Sequence, residues 1–384
     1  EEKDTFILTK ENINNFVDIV NQIIEDHQSG KYLLKVTDVY ECDNKNYHIV
    51  YWVDENKLKL PTKNFSIKIS ISNLYFENEE QLEKEIHSHL INNKHIILTG
   101  PPGTGKSKLA KEICNHYVGE NEYNMVTASP DWSTFDTIGG YKPDKEDQLQ
   151  FNPGIFLECF KKDSPDNKWL IIDEINRADI DKAFGPLFST LTGDTVTLSF
   201  KAENNKQIEL IPQKNEDEKI IPEEHIYYIP RDWRIIATMN TFDKASLYEM
   251  SYAFMRRFAF VPVPIPEELD INDYLDYWDI SQKNKKNYKD NLNELWKAIN
   301  DVRKVGPAIM KDILKFLITY DEKEEKNKRY ISAIISYVLP QFEGLRKDKI
   351  DDFKDNLKEL SFISENDVKE RLSSFIKDYF RLEG

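Results

Sequence analysis

The sequence predicts an α/β fold. A parallel sheet lies between helices, with a small α+β module before it and an all-helical region after it. Three observations lead there. Short, continuous apolar runs alternate with helical stretches through residues 81–266. One of those runs ends in a glycine-rich turn that opens a helix. Beyond a segment with proline at every second position, the apolar residues repeat at helical spacing to the end. The predicted units are therefore 1–80, 81–266 and 267–384.

Within the first unit, Phe16, Ile19, Val20, Ile23 and Ile24 repeat at helical spacing, and Ser29-Gly30 stops that helix. Runs at 32–40, 47–53 and 65–71, rich in β-branched and aromatic residues, read as strands separated by Asp43-Asn44 and Pro61. In the second unit a helix at 81–91 leads into an apolar strand at 95–99, a glycine-rich turn and a helix at 106–117. Further buried-type strands fall at 169–172 and 233–238, and the polar stretch 201–228 reads as an exposed hairpin or insertion. Pro262, Pro264 and Pro266 make 261–266 an extended linker. After it, Tyr330, Ile331, Ile334, Ile335, Val338 and Leu339 form one apolar stripe, closed by Pro340.

Composition narrows the function classes. The chain has 384 residues, enough for two to three domains at about 150 residues each. An aromatic content of 12% signals packed cores, which a disordered chain lacks. No run approaches the ~18 apolar residues of a membrane span, and Glu1-Glu2-Lys3-Asp4 has no signal-peptide character. The missing initiator Met suits a fragment of a longer protein. Cys42, Cys114 and Cys159 are odd in number and far apart, as three reduced thiols of a cytoplasmic protein would be. The seven histidines, His87, His89 and His95 among them, show no zinc spacing and read as single surface residues. With 52 Lys+Arg against 68 Asp+Glu the net charge is −16, so any nucleic-acid contact must use a local basic surface. Lys283, Lys285, Lys286 and Lys289 form one basic cluster, which reads first as a solvated face.

The chemistry begins at Gly100-Pro101-Pro102-Gly103-Thr104-Gly105-Lys106-Ser107, which fits G-x-x-x-x-G-K-[ST] between a strand and a helix. Glycines let successive backbone N–H groups turn inward around phosphates, and the helix N-terminus adds its dipole. Pro102, Gly103, Thr104, Gly105, Lys106 and Ser107 are thus the nucleotide-binding candidates. Lys106 reaches the β- and γ-phosphates, and Ser107 offers a hydroxyl to Mg²⁺. The run Trp169-Leu170-Ile171-Ile172-Asp173-Glu174 supplies two acids at the end of a buried strand. Asp173 suits the metal or its water, and Glu174 suits a base for the attacking water. Asn240 closes another apolar strand, where an amide can orient water or simply make a turn. Arg256 and Arg257 end a helix before the proline segment. They suit either a solvated basic face or an arginine acting on a neighbouring subunit's γ-phosphate, an effect worth about 10³–10⁵ in rate.

In that order and spacing, the glycine-rich loop, Asp173-Glu174, Asn240 and Arg256-Arg257 resemble the AAA+ NTPase module with its helical lid. More narrowly, Asp173-Glu174-Ile175-Asn176-Arg177-Ala178 followed by Phe184-Gly185 is similar to the McrB family of restriction NTPases. Met239-Asn240-Thr241-Phe242-Asp243-Lys244-Ala245-Ser246 resembles that family's MNTxDxS element with one residue extra. Ser251-Tyr252-Ala253-Phe254-Met255-Arg256-Arg257-Phe258 resembles its DYALRRRF, with Ser251 in place of Asp and two arginines instead of three. The polar segment 137–152 fits the helix insertion shared by McrB and MoxR proteins.

The resemblance implies Mg²⁺-dependent hydrolysis of GTP or ATP in a ring, a hexamer, whose sites are completed by Arg256 or Arg257 of a neighbour. GTP is the McrB hallmark, yet Asn167-Lys168-Trp169-Leu170 lacks the Asp of the small-GTPase base reader. The resemblance also implies an McrC-like nuclease subunit as partner, and DNA bound through the N-terminal module or a local surface. Tyr47, Tyr51 and Trp52 are stacking candidates there, although strand aromatics are more often core. Two other readings stand beside this one. One is a MoxR-type chaperone that remodels proteins; the other is a DNA-recognition protein that uses nucleotide only for assembly.

Overall fold

The computed structural model describes residues 32–42, 45–54, 74–145, 147–160, 167–214, 223–241, 250–320, 326–364, 366 and 368–380. The helix expected at the N-terminus, the strand at 65–71 and residues 242–246 of the MNTxDxS-like element lie outside them. Of the N-terminal module, β1 (Tyr32–Cys42) and β2 (Lys45–Asp54) form an antiparallel hairpin from Tyr32↔Asp54 to Cys42↔Lys45. The side chains of Tyr47, Tyr51 and Trp52 are not among those described.

The second unit is organised by a five-stranded parallel sheet. Its strands are β3 (His95–Gly100), β4 (Tyr123–Thr127), β7 (Trp169–Asp173), β11 (Ile235–Asn240) and β12 (Phe258–Pro262). They lie in the order β12-β3-β11-β7-β4, and every pair is parallel. The central strands are apolar through because both faces are covered: Ile96, Ile97, Leu98, Ile171 and Ile236 are all buried. Each such side chain is worth roughly 1.5–3 kcal/mol of burial. Helix α1 (Glu79–Ile91) buries Leu82, Ile86 and Leu90, and α2 (Lys106–Tyr117) buries Leu109, Ala110, Ile113 and Cys114. The chain's first strand of this sheet, β3, sits between the last two, β11 and β12. Order therefore reverses beside β3, and a crevice opens at its carboxyl end.

Four local findings differ from the sequence reading. The proline-spaced segment is extended as expected, but its first part is sheet: Val261 pairs with Leu98 and Pro262 with Thr99 on β12, an edge strand that tolerates proline. The segment 137–152 contributes a β-hairpin, not a helix: β5 (Gly139–Pro143) pairs antiparallel with β6 (Leu149–Pro153). The hairpin interrupts helical turns, α3 (Thr134–Thr137) before it and one 3₁₀ turn at Leu157–Cys159 after it. The polar stretch after residue 195 does hold a hairpin, β8 (Val196–Lys201) with β9 (Gln207–Pro212), joined in parallel by β10 (Ile226–Ile229). One face of it is core, because Leu198, Ile208, Leu210 and Tyr227 are buried with the main sheet. Finally, His95 is not a surface residue. Its Nδ1 accepts the Ile235 N–H at 3.0 Å, and burial, then the charge of Arg234, pulls its pKa down to about 3.

Between β7 and β12 the chain also carries two short helices, α4 (Ile180–Phe184) and α5 (Tyr252–Met255). The last unit is helical: α6 (Asn272–Leu275), α7 (Gln282–Asn300), α8 (Ala308–Thr319), α9 (Lys326–Ala333), α10 (Lys347–Lys358) and α11 (Ser373–Phe380). It has its own core around Trp296, Ile313, Leu314, Tyr330 and Phe353. The expected stripe is there, with Tyr330, Ile331, Ile334, Val338 and Leu339 buried and Ile335 half-buried. Lys283 and Lys286 lie exposed on α7, while Lys285 is drawn to Asp276 at 3.1 Å. No helix among the described residues is long and apolar enough to cross a membrane.

Candidate functional site

The glycine-rich loop joins β3 to α2. Gly103 and Gly105 take φ values of 77° and 91°, a left-handed backbone that favours glycine. The N-terminus of α2 therefore faces the crevice. Lys106 is buried, and its Nζ donates to the carbonyls of Gly100 at 2.9 Å and Pro101 at 2.6 Å. Burial lowers its pKa to about 8, against the opposing pull of Asp173 and Glu174. An ammonium held only by neutral carbonyls in a partly dry loop is a site prepared for anionic oxygen.

The acids arrive from β7. Asp173 Oδ1 accepts the Ser107 hydroxyl at 2.6 Å and the Thr238 hydroxyl at 2.6 Å. Hydroxyl and carboxylate oxygens meeting at that distance are hard donors, which fits Mg²⁺. Glu174 follows with φ 53° and ψ 47°, a left-handed conformation rare outside glycine. Its carboxylate pairs with Arg177 Nε at 2.6 Å. Asn240 ends β11 opposite Gly100, and its carbonyl accepts Asn176 Nδ2 at 3.1 Å. The Oδ1 of Asn176 is buried with no hydrogen-bond partner.

Lys106, Asp173, Glu174, Thr238 and Asn240 line one cleft of about 350 Å³ together with Pro102, Gly103, Thr104, Gly105 and Ser107. Its far wall is aromatic and was not foreseen from sequence: Tyr75, Phe76, Tyr274, Tyr277 and Trp278, with Pro307, Ala308 and Lys311. Tyr75 stands 4.9 Å from Tyr274 and 6.2 Å from Tyr277 between ring centroids. Lys311 Nζ lies 5.9 Å from the centre of the Trp278 ring. Residues 74–76 alternate between the two cores, Leu74 and Phe76 packing on the sheet unit and Tyr75 on the helical unit. The loop before α8 rests directly on the glycine-rich loop. Gly306 N–H donates to Pro102 O at 2.9 Å and Ala308 N–H to Gly103 O at 3.2 Å. A Cβ at Gly306 would fall 2.3 Å from the Gly103 carbonyl.

The two arginines part company. Arg257 is buried, donates from Nε to Phe188 O at 2.8 Å and from Nη1 to Ala253 O, and covers the Phe188 ring at 5.5 Å. Arg256 is exposed, and its carbonyl accepts Lys94 Nζ at 2.9 Å. Neither lines the cleft. Their helix α5 is bolted to α4, since Ser251 Oγ donates to Asp181 Oδ1 at 2.5 Å and Ser251 N–H to Oδ2 at 2.9 Å.

The sequence reading gave no role to Thr238, Arg177 or Gly306. The first was a lone hydroxyl in an apolar strand, and the second was named only as part of the Asp173–Ala178 motif. The third stood before Pro307 at the start of a helix, the only one of the three that a turn signal marks. Cys114 and Cys159 are free and buried, which drives both thiols well above their usual range.

Residues 95–258 match the family described as AAA domain, dynein-related subfamily. Over 208 residues the chain is 32% identical to the EcoKMcrB subunit of the type IV methyl-directed restriction enzyme of Escherichia coli K12. That match covers 53% of this chain and 42% of the relative, so less than half of the relative's length is represented. Among solved structures, NtrX from Brucella abortus in complex with ATP aligns with a TM-score of 0.38 and 14% identity, over 80% of this chain and 70% of that one. The same protein with ADP gives 0.37 and 12%, over 79% and 69%. The parallel sheet flanked by helices and the glycine-rich loop lie within the segment that matches the AAA domain, and over 208 residues the chain is similar to the EcoKMcrB subunit.

Proposed function

We propose that this chain is the Mg²⁺-dependent NTP-hydrolysing motor subunit of an McrB-like ring, a hexamer that drives an McrC-like nuclease in DNA restriction. One observation carries the reading: Lys106, Ser107, Asp173, Glu174 and Asn240 come from three separate segments and meet in one cleft. A pure binding module has no use for the acid at Glu174.

The residues divide the work. Inward N–H groups of the loop and the α2 N-terminus take the phosphates, and Lys106 moves its donors from two carbonyls to phosphate oxygen. Ser107 and Asp173 would hold Mg²⁺, which offsets phosphate charge when bound. Glu174 accepts the proton of the attacking water, and Asn240 orients that water. Tyr75, Tyr277 and Trp278 receive the base by stacking. Arg257 is committed to its own subunit, which leaves Arg256 to reach a neighbour's γ-phosphate. Both GTP and ATP suit a wall that stacks the base. GTP is favoured by the resemblance to McrB proteins, and the match to the EcoKMcrB subunit favours this reading over a MoxR-type chaperone.

Replacing Glu174 with Gln tests the mechanism. Nucleotide binding should persist while GTP and ATP hydrolysis stops; normal turnover in that variant would sink the proposal. Mixing Glu174→Gln chains with Arg256→Ala chains should restore hydrolysis that neither has alone, because each supplies what the other lacks.

A further inference from the structure

We propose that Thr238 is the positioning residue that sets the catalytic acid, a role that rests on Glu174 being the base. The parallel ladder between β11 and β7 runs Ile235↔Leu170, Ile236↔Ile171, Ala237↔Ile172 and then ends. On its other side β11 stays paired with β3 as far as Asn240↔Gly100. At Asp173-Glu174 the β7 chain thus turns away from a strand that continues straight. Main-chain hydrogen bonds cannot span that opening. The Thr238 hydroxyl does.

Thr238 is buried, 1% exposed. Its Oγ1 accepts the Glu174 N–H at 2.9 Å and donates its proton to Asp173 Oδ1 at 2.6 Å. A hydroxyl has one proton and free lone pairs, so both bonds are made at once. Its two partners are neighbouring residues with separate tasks, and the bond fixes one relative to the other. Glu174 needs such a tether because φ 53° is a conformation that a non-glycine residue holds only when its surroundings over-determine it. The residues that do so are Thr238 at its N–H and Arg177, which binds its carboxylate at 2.6 Å and caps its carbonyl with an N–H at 2.9 Å. Without Thr238 the acid loses the fixed peptide from which its side chain reaches the water.

Thr238→Val tests this, because valine keeps the shape and removes the hydroxyl. Turnover of GTP and ATP by the full chain should fall by about ten- to a hundredfold in kcat, with KM within about twofold. A fluorescent nucleotide should bind Thr238→Val with unchanged affinity, which also shows that the variant folds. Thr238→Ser restores the hydroxyl and should restore kcat to within about twofold. Should valine disturb folding, Thr238→Ala removes the hydroxyl without adding a methyl beside Asp173, and the same loss is expected. Wild-type kcat in both hydroxyl-free variants, or failure of serine to rescue, overturns the proposal while Glu174→Gln remains inactive. Activity in Glu174→Gln instead refutes the assignment of the base, on which the role of Thr238 depends.

Discussion

The two ends of the cleft are built by opposite means. At the phosphate end the groups come from strand carboxyl ends and from the helix that follows one of them: Lys106 and Ser107 at the start of α2 after β3, Asp173 and Glu174 at β7, Thr238 and Asn240 on β11. At the aromatic end the wall is assembled from residues 74–76, from 274–278 and from the start of α8. The first end is made of groups from the sheet unit alone: the sheet, the glycine-rich loop and α2. The second exists only while the helical unit rests on the sheet unit. On the proposed reading, anion binding is therefore a property of the sheet unit, and base binding a property of how the sheet and helical units meet.

Lys106→Ala should produce the largest effect, because it strikes the end that needs no assembly. Two hydrogen bonds from an ammonium to phosphate, at about 1.5–3 kcal/mol each, amount to roughly a hundredfold or more in affinity. Competition by inorganic tripolyphosphate against a fluorescent nucleotide checks it, since that competitor has no base. The wild type carries a related pH signature. The Lys106 amine, with its pKa held near 8 by burial, loses its proton as pH rises through that value. Phosphate binds the protonated form, so affinity should be full below about pH 7 and decline above about 8. Lys106→Ala should flatten that decline. An unchanged slope in the variant would assign the titration to another group.

Legibility in the sequence follows the same division. The loop from Gly100 to Ser107 could be read because its function is backbone geometry, and backbone geometry is written in the glycines themselves. Asp173-Glu174 could be read because four apolar residues before it announce a buried strand. Tyr75, Tyr277 and Trp278 could not, since aromatics at such positions are ordinarily core, and only packing brings them to one cleft. The arginines show the limit within a single motif. Arg256 and Arg257 are adjacent, and it is tertiary packing, with the Phe188 carbonyl and ring and the Ala253 carbonyl around Arg257, that distinguishes them. Proline gave the correct backbone for 262–266 and the wrong role for its beginning, because an edge strand accepts proline as readily as a linker does.

Gly306→Ala should come next in size, as it acts on the contact between the two ends. The added methyl meets the Gly103 carbonyl and the Thr104 nitrogen at 2.3 Å and 2.5 Å, both backbone, so the α8 loop must lift. Overpacking of that kind costs about 1–3 kcal/mol. Thermal unfolding should shift down by several degrees, roughly 2–4 °C per kcal/mol for a chain this large. Nucleotide binding should weaken while tripolyphosphate binding holds, since lifting α8 removes Pro307, Ala308 and Lys311 from the wall and leaves the loop amides in place. Equal losses for both ligands would show that the lid also shapes the phosphate end, and the division between the ends would fall.

Tyr277→Ala should give the smallest effect and the most selective one. Stacking of a base on an aromatic side chain is worth about 1–3 kcal/mol. Tyr277 is 45% exposed, so the lower part of that range applies and affinity should drop about five- to tenfold. The base does not change between ground state and transition state, so the lost contact is uniform binding: KM rises and kcat stays. Tripolyphosphate should compete as well as it does in the wild type. Steady-state hydrolysis with GTP and with ATP separates two versions of the aromatic wall. A rise in KM of the same factor for both means that Tyr277 offers a plane that any purine satisfies, and selection between them then belongs to groups at the edge of the base. A rise confined to one nucleotide means that the ring itself discriminates. A fall in kcat would contradict the separation, because a group at the aromatic end would then be felt at Glu174.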